Sequence, residues 1–154
     1  MTSGDGTRIV ASVGGQGPPI VLVHRMSGSD FSWAWVRPHL EDRHAVYAMQ
    51  RRGRGLSGDG PDYSLARETE DVAALIDRIG GPVCLVGHSF GANCSLAASD
   101  MSHDVARLVL FEPVFGLEAD EPMLQARQAR RRRGGWRGCL GVHARRRSDG
   151  RGGC

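Results

Sequence analysis

Apolar residues in this chain fall into short continuous runs, and between them lie stretches with helical spacing. Residues 7–13 (TRIVASV), 20–23 (IVLV), 45–49, 82–86 and 106–111 read as strands, and the second and fourth are apolar enough to be buried on both faces. In 32–40, Trp33, Val36 and Leu40 recur at helical spacing, which predicts a short helix against the sheet. From Leu65 to Ile79 the apolar positions 65, 72, 75, 76 and 79 share one helical face; Ser64 is a suitable N-cap and Gly80-Gly81 a stop. A small-residue run at 92–98 predicts a closely packed helix. Strands and helices alternating at this spacing imply βαβ units, a mainly parallel sheet and right-handed crossovers.

Residues 50–61 (QRRGRGLSGDGP) contain four glycines and a proline and must be a loop. Its arginines Arg51, Arg52 and Arg54 suggest either an anion site or pairing with carboxylates such as Asp59 and Asp62. All 20 basic residues of the chain are arginine, a bias expected of a gene rich in G and C. The net charge of +3 conceals two unlike parts. Residues 1–122 carry ten arginines against sixteen acidic residues, whereas 123–154 carry ten arginines against Asp149 alone. The basic pI therefore belongs to the tail and licenses no nucleic-acid role for the rest. Residues 1–122 are expected to fold as one unit, and 123–154, with seven glycines, to be disordered. Cys84, Cys94, Cys139 and Cys154 form no metal-ligand spacing, and the first two read as core thiols. No basic, apolar leader opens the chain and no run reaches membrane-spanning length, so a cytoplasmic location is expected.

The chemistry centres on Gly87-His88-Ser89-Phe90-Gly91, a G-x-S-x-G between the run at 82–86 and the helix at 92–98. A serine at such a strand-to-helix turn can be held with its hydroxyl exposed, and the flanking glycines let neighbouring backbone approach. The helix N-terminus favours negative charge developing nearby. This stretch resembles the nucleophile elbow of an α/β-hydrolase. Three more stretches match that family in order: VLVHRMSGS at 21–29, MQRRGRGLSGD at 49–59 and RLVLFEP at 107–113. The resemblance implies an α/β-hydrolase fold, incomplete at its C-terminal side, with Ser89 as nucleophile. It further implies the N–H groups of Met26 and Phe90 as an oxyanion hole and Gly87, His88 and Gly91 as the elbow. Two departures stand out. Arg25 replaces a glycine and would distort the hole if a glycine-only conformation were needed there, and Gln50 replaces an aspartate, leaving its loop less well held.

Acyl transfer from serine needs a histidine base and an acid that orients it, and in this family both follow the nucleophile. After Pro113 only 41 residues remain. Their composition does not support further strands, so the chain is expected to be truncated, with its reading frame lost near 122–127. Glu112 reads either as a strand-end residue or as an acid at the place where haloalkane dehalogenases keep theirs. His143 is the only later histidine, and the catalytic histidine stays unassigned. His88 is expected to point elsewhere, His24 to line the oxyanion turn, and His103 to lie in a surface loop. Without a further strand beside it, 106–111 would be an apolar sheet edge, which predicts poor solubility. A serine at the nucleophile position argues against the epoxide-hydrolase and dehalogenase branches. An esterase- or lipase-like activity is expected, with haloperoxidase-like or carbon–carbon bond hydrolysis open. The resemblance implies a small ester-like substrate and no metal, organic cofactor or membrane partner. The rival reading is a non-catalytic protein that binds RNA through RQARRRRGGWRG at 127–138.

Overall fold

The computed structural model describes residues 1–114. The arginine-rich tail, His143, Cys139, Cys154 and the expectations attached to them lie outside the described residues. Five strands, β1 (Val10–Gly14), β2 (Pro19–Val23), β3 (Ala45–Gln50), β4 (Val83–His88) and β5 (Val105–Phe111), form one sheet in the order β1-β3-β2-β4-β5. β1 runs antiparallel to β3, and every other pairing is parallel. Helices α1 (Arg37–Glu41), α2 (Leu65–Ile79) and α3 (Phe90–Met101) flank the sheet. This is the mainly parallel α/β architecture that the alternation of runs predicts.

Period-two alternation along β2 shows how both faces are filled. Val21 and Val23 join the core with Val72, Ile76, Cys94 and Leu96 of α2 and α3, whereas Ile20 and Leu22 pack with Val46, Ala48, Trp33 and Leu40 on the opposite face. In β4, Val83 and Leu85 are fully buried, while Cys84 and Val86 are only half-buried towards the thinner layer. That layer is thin because the single helix expected over 32–40 is broken into a 3-10 turn at Asp30–Trp33 and the five-residue α1. Pro38 has no N–H and fits only the first turn of a helix, so α1 must begin beside it.

The bounds of α2 are those the apolar spacing predicts, with the Ser64 hydroxyl accepting from the Arg67 N–H at 3.3 Å. Its inward face also carries two acids, Glu68 and Asp71, both buried. These are the partners of the loop arginines. Arg51 pairs with Glu68 at 2.5 and 2.6 Å, and Arg52 with Asp71 at 2.7 and 2.8 Å, with a further bond from Arg52 to Asp5 at 2.9 Å. The expected pairing with the side chains of Asp59 and Asp62 is thus corrected: Asp62 contributes only its backbone carbonyl to Arg52, at 2.9 Å, and Asp59 receives the Tyr63 hydroxyl. Gln50 holds its loop after all, because its Oε1 accepts from the Leu56 N–H at 2.6 Å while Gly55 takes up a left-handed φ of 57° beside it. Among the described residues β5 pairs only with β4, and Val109 and Phe111 are exposed.

Candidate active site

Ser89 lies between the tip of β4 and the first turn of α3 with φ 54° and ψ −124°. A non-glycine residue in that region stores about 1–3 kcal/mol of strain and persists only where its surroundings hold it. Here the Ser89 N–H donates to the Phe111 carbonyl of β5 at 2.8 Å, and its own carbonyl accepts from the Ala92 N–H at 2.8 Å. The flanking glycines are required by contact. A Cβ on Gly87 would stand 2.5 Å from Ala92 Cα, and one on Gly91 would collide with the carbonyl oxygens of Val23 and His24. The elbow is therefore pressed directly onto the end of β2.

That contact brings the start of α3 against the turn that follows β2. His24 is fully buried there; its Nδ1–H donates to the Arg25 carbonyl at 2.7 Å and its Nε2 accepts from the Arg51 N–H at 3.2 Å. Burial pushes its pKa down to about 4, the hydrogen bond to Arg25 opposing this and the nearby Arg51 charge adding to it. The Arg25 carbonyl collects two more donors, the Gly28 N–H at 3.0 Å and Arg51 Nη1 at 3.1 Å. Arg51 also lies over the Phe90 ring, 4.7 Å from its centroid. One buried guanidinium thus touches both segments from which the oxyanion donors are expected. Arg25 itself does not have a positive φ, so the turn accommodates it without needing glycine. Met26 is exposed, and its carbonyl accepts from Arg54 Nη2 at 3.4 Å. The Phe90 N–H lies in the first turn of α3, where no intrahelical carbonyl can reach it.

His88 faces the end of β5: its ring centroid is 4.9 Å from that of Phe111, and its Nε2 is 3.6 Å from a Glu112 carboxylate oxygen. Glu112 has a left-handed φ of 48°, and the chain just beyond it is clamped by Asn93, whose side-chain amide exchanges two hydrogen bonds with the backbone of Val114 at 2.9 and 3.1 Å. Burial pushes the Cys94 thiol up strongly and the Cys84 thiol up as well, so both suit core positions. His103 lies exposed between α3 and β5. Among the described residues no three His, Cys, Asp or Glu side chains gather as metal ligands, and no helix is long and apolar enough to cross a membrane. The sequence reading missed Glu68 and Asn93, and it had Arg51 in an ion pair or anion site but not against the turn after β2. Glu68 was detectable, because it falls on the same helical face as Leu65, Val72, Leu75 and Ile76.

A model of the alpha/beta hydrolase family matches residues 20–151. The chain is 33% identical over 104 residues to N-formylmaleamate deformylase of Pseudomonas putida, covering 65% of this chain and 39% of that protein. It is 33% identical over 111 residues to 2-(acetamidomethylene)succinate hydrolase of Mesorhizobium japonicum, covering 68% of this chain and 40% of that protein. The chain spans about two fifths of the length of these curated relatives. Among solved structures, an alpha/beta hydrolase from Sphaerobacter thermophilus superposes with a TM-score of 0.70 and 37% identity over 87% of this chain and 55% of that one.

Proposed function

The chain belongs to the alpha/beta hydrolase family, and from that premise we propose that it is a serine hydrolase of small esters or amides, with Ser89 as nucleophile and the Phe90 and Met26 N–H groups as oxyanion donors. The observation that carries this reading is the backbone of Ser89. A polar residue kept at φ 54° between two glycines that tolerate no Cβ is costly to fold and has no packing benefit to offset the cost. In the proposed reaction the Ser89 hydroxyl loses its proton to a base as its oxygen bonds to the substrate carbonyl carbon. The carbonyl oxygen becomes an oxyanion between the two N–H groups, where each donor contributes on the order of a hundredfold in rate. The C–O or C–N bond then breaks, the leaving group takes the proton, and water repeats the sequence on the acyl-enzyme.

Neither histidine beside the elbow suits the base. Both nitrogens of His24 are engaged and its pKa is about 4, while His88 is directed to Glu112. Glu112 in this reading holds His88, and the base and its orienting acid are assigned to no described residue. The names of the two curated relatives, a deformylase and a succinate-derivative hydrolase, favour amide as well as ester substrates. The test is labelling by a fluorophosphonate followed by peptide mapping. Adduct at Ser89 that disappears in Ser89→Ala is expected; labelling that persists in that variant, or no labelling of the folded protein, overturns the assignment.

A further inference from the structure

Of the arginines of the described segment, Arg8, Arg43, Arg78 and Arg107 stand in no ion pair among the described residues and away from the turn after β2. Arg37, Arg51, Arg52 and Arg67 are each paired with a carboxylate. Arg25 and Arg54 have no carboxylate within ion-pair distance among the described residues, although acidic side chains outnumber basic ones over 1–122. Both are exposed, and both stand at the turn after β2. The Arg25 side chain lies along Gly28, its Cγ 3.1 Å from where a Cβ on that glycine would be, and Arg54 holds the Met26 carbonyl with Nη2 and the Gly53 carbonyl with Nη1 at 3.1 Å. The other charges around the turn are already engaged. Arg51 is bound to Glu68, and Asp30 accepts from the Ser12 hydroxyl at 2.8 Å, to which Arg37 also donates at 2.7 Å. Met26 thus follows one exposed arginine in the chain and is held at its carbonyl by another, and neither stands in an ion pair among the described residues.

We infer that Arg25 and Arg54 form a carboxylate-binding subsite, and that the substrate is a short acyl compound carrying a free carboxylate a few bonds from the carbonyl to be cleaved. The inference rests on the assignment of Ser89 and Met26 above. Guanidinium is the side chain suited to a carboxylate, since its N–H groups form a fork that meets both oxygens. Its position decides the spacing. Because Arg54 touches the carbonyl of the same residue whose N–H is to receive the oxyanion, the carboxylate must lie close to the reacting carbon, as in a half-ester or half-amide of a small dicarboxylic acid. A long neutral acyl chain would have to pass two solvated cations, which disfavours lipid-like substrates. Unpaired cations beside the turn also raise the encounter rate of anionic substrates at low salt.

The experiment compares mono-para-nitrophenyl succinate with its methyl ester and reads the ratio of their kcat/KM values at low and high NaCl. The acid is expected to be preferred about tenfold at low salt, with Arg25→Gln and Arg54→Gln each lowering the ratio by roughly three- to fivefold, as expected for exposed charges, and the double variant bringing it near one. Arg43→Gln, which alters an exposed arginine away from the turn, should leave the ratio unchanged. A ratio near one in the native protein, or a preference that survives in the double variant, overturns the subsite. Ser89→Ala separates this from failure of the catalytic reading. If no hydrolysis depends on Ser89, succinate is titrated while the arginine Nε–H resonances are followed. Saturable shifts at Arg25 and Arg54 with succinate, absent with dimethyl succinate, uphold the subsite, and their absence refutes it.

Discussion

Replacing Glu68 by glutamine tests the buried pair that ties the loop after β3 to α2 and, through Arg51, to the turn after β2. The Arg51 and Glu68 side chains are only 5% and 4% exposed, and two short bonds join them. Removing the negative charge leaves a guanidinium out of water with an amide and two backbone carbonyls, at 3.1 and 3.4 Å, as partners. A buried charge stripped of its counter-ion costs about 3–5 kcal/mol, and the remaining acceptors place Glu68→Gln near the lower end. That is a large part of the 5–15 kcal/mol typical of a folded domain. An apolar pair, Arg51→Met with Glu68→Leu, removes both charges at once and should recover most of the stability. It should not recover the turn, because methionine cannot donate to the Arg25 carbonyl. The assay is urea unfolding of the two single variants, the double variant and the native protein, read as midpoints at constant m, with amide hydrogen exchange at residues 24–28 in parallel. Faster exchange at those amides in a stable double variant is the expected signature. A loss below about 1 kcal/mol in Glu68→Gln, or a turn as protected in the double variant as in the native protein, would refute the reasoning.

Three further outcomes follow from the same geometry. His24 titrates near 4 when folded against 6.5 in its ordinary state, so between those values the unfolded chain binds more protons; stability contributed by the neutral ring is full above pH 6.5 and lost as pH falls towards 4, up to about 3 kcal/mol, which His24→Asn should flatten in melts across that window. Ser89→Gly relieves a backbone strain of about 1–3 kcal/mol while adding roughly 0.5–1 kcal/mol of chain entropy to the unfolded state, so it should melt at or above the native temperature and lose fluorophosphonate labelling entirely. Gly91→Ala should cost about 1–3 kcal/mol by forcing α3 away from β2, and calorimetry showing no change would contradict the close contact.

The sequence carried the elements well wherever a single physical rule governed them. The apolar face of α2, its serine cap and the glycine stop are local signals, and the structure places that helix at 65–79. The turn at 87–91 was legible as a turn, since its two glycines and serine fall within five residues, and the contacts of Gly87 are with residues just after it, whereas those of Gly91 are with the distant end of β2. What remained hidden depends on partners distant in the chain. Arg51 and Arg52 looked ready to pair with acids in their own loop, yet their partners lie 17 and 19 residues on, across the fold. Gln50 read as a weakened aspartate, but the loop asked only for a hydrogen-bond acceptor, which an amide supplies. The charge of Arg25 and Arg54 became informative only once the fold set Arg54 against the carbonyl of Met26, the residue after Arg25.

The bond from the Ser89 N–H to the Phe111 carbonyl sets an order of events during synthesis. β4 sits between β2, made some sixty residues earlier, and β5, made some twenty residues later. Until Phe111 has left the ribosome, the turn at Ser89 lacks the bond to its N–H, and only the Ala92 N–H bond and the packing of its glycines hold it. A nascent chain ending before β5 should therefore hold Ser89 less firmly at its positive φ. The geometry at Ser89 is complete only when the last described strand docks, so the turn is among the last parts of the described fold to take its final form.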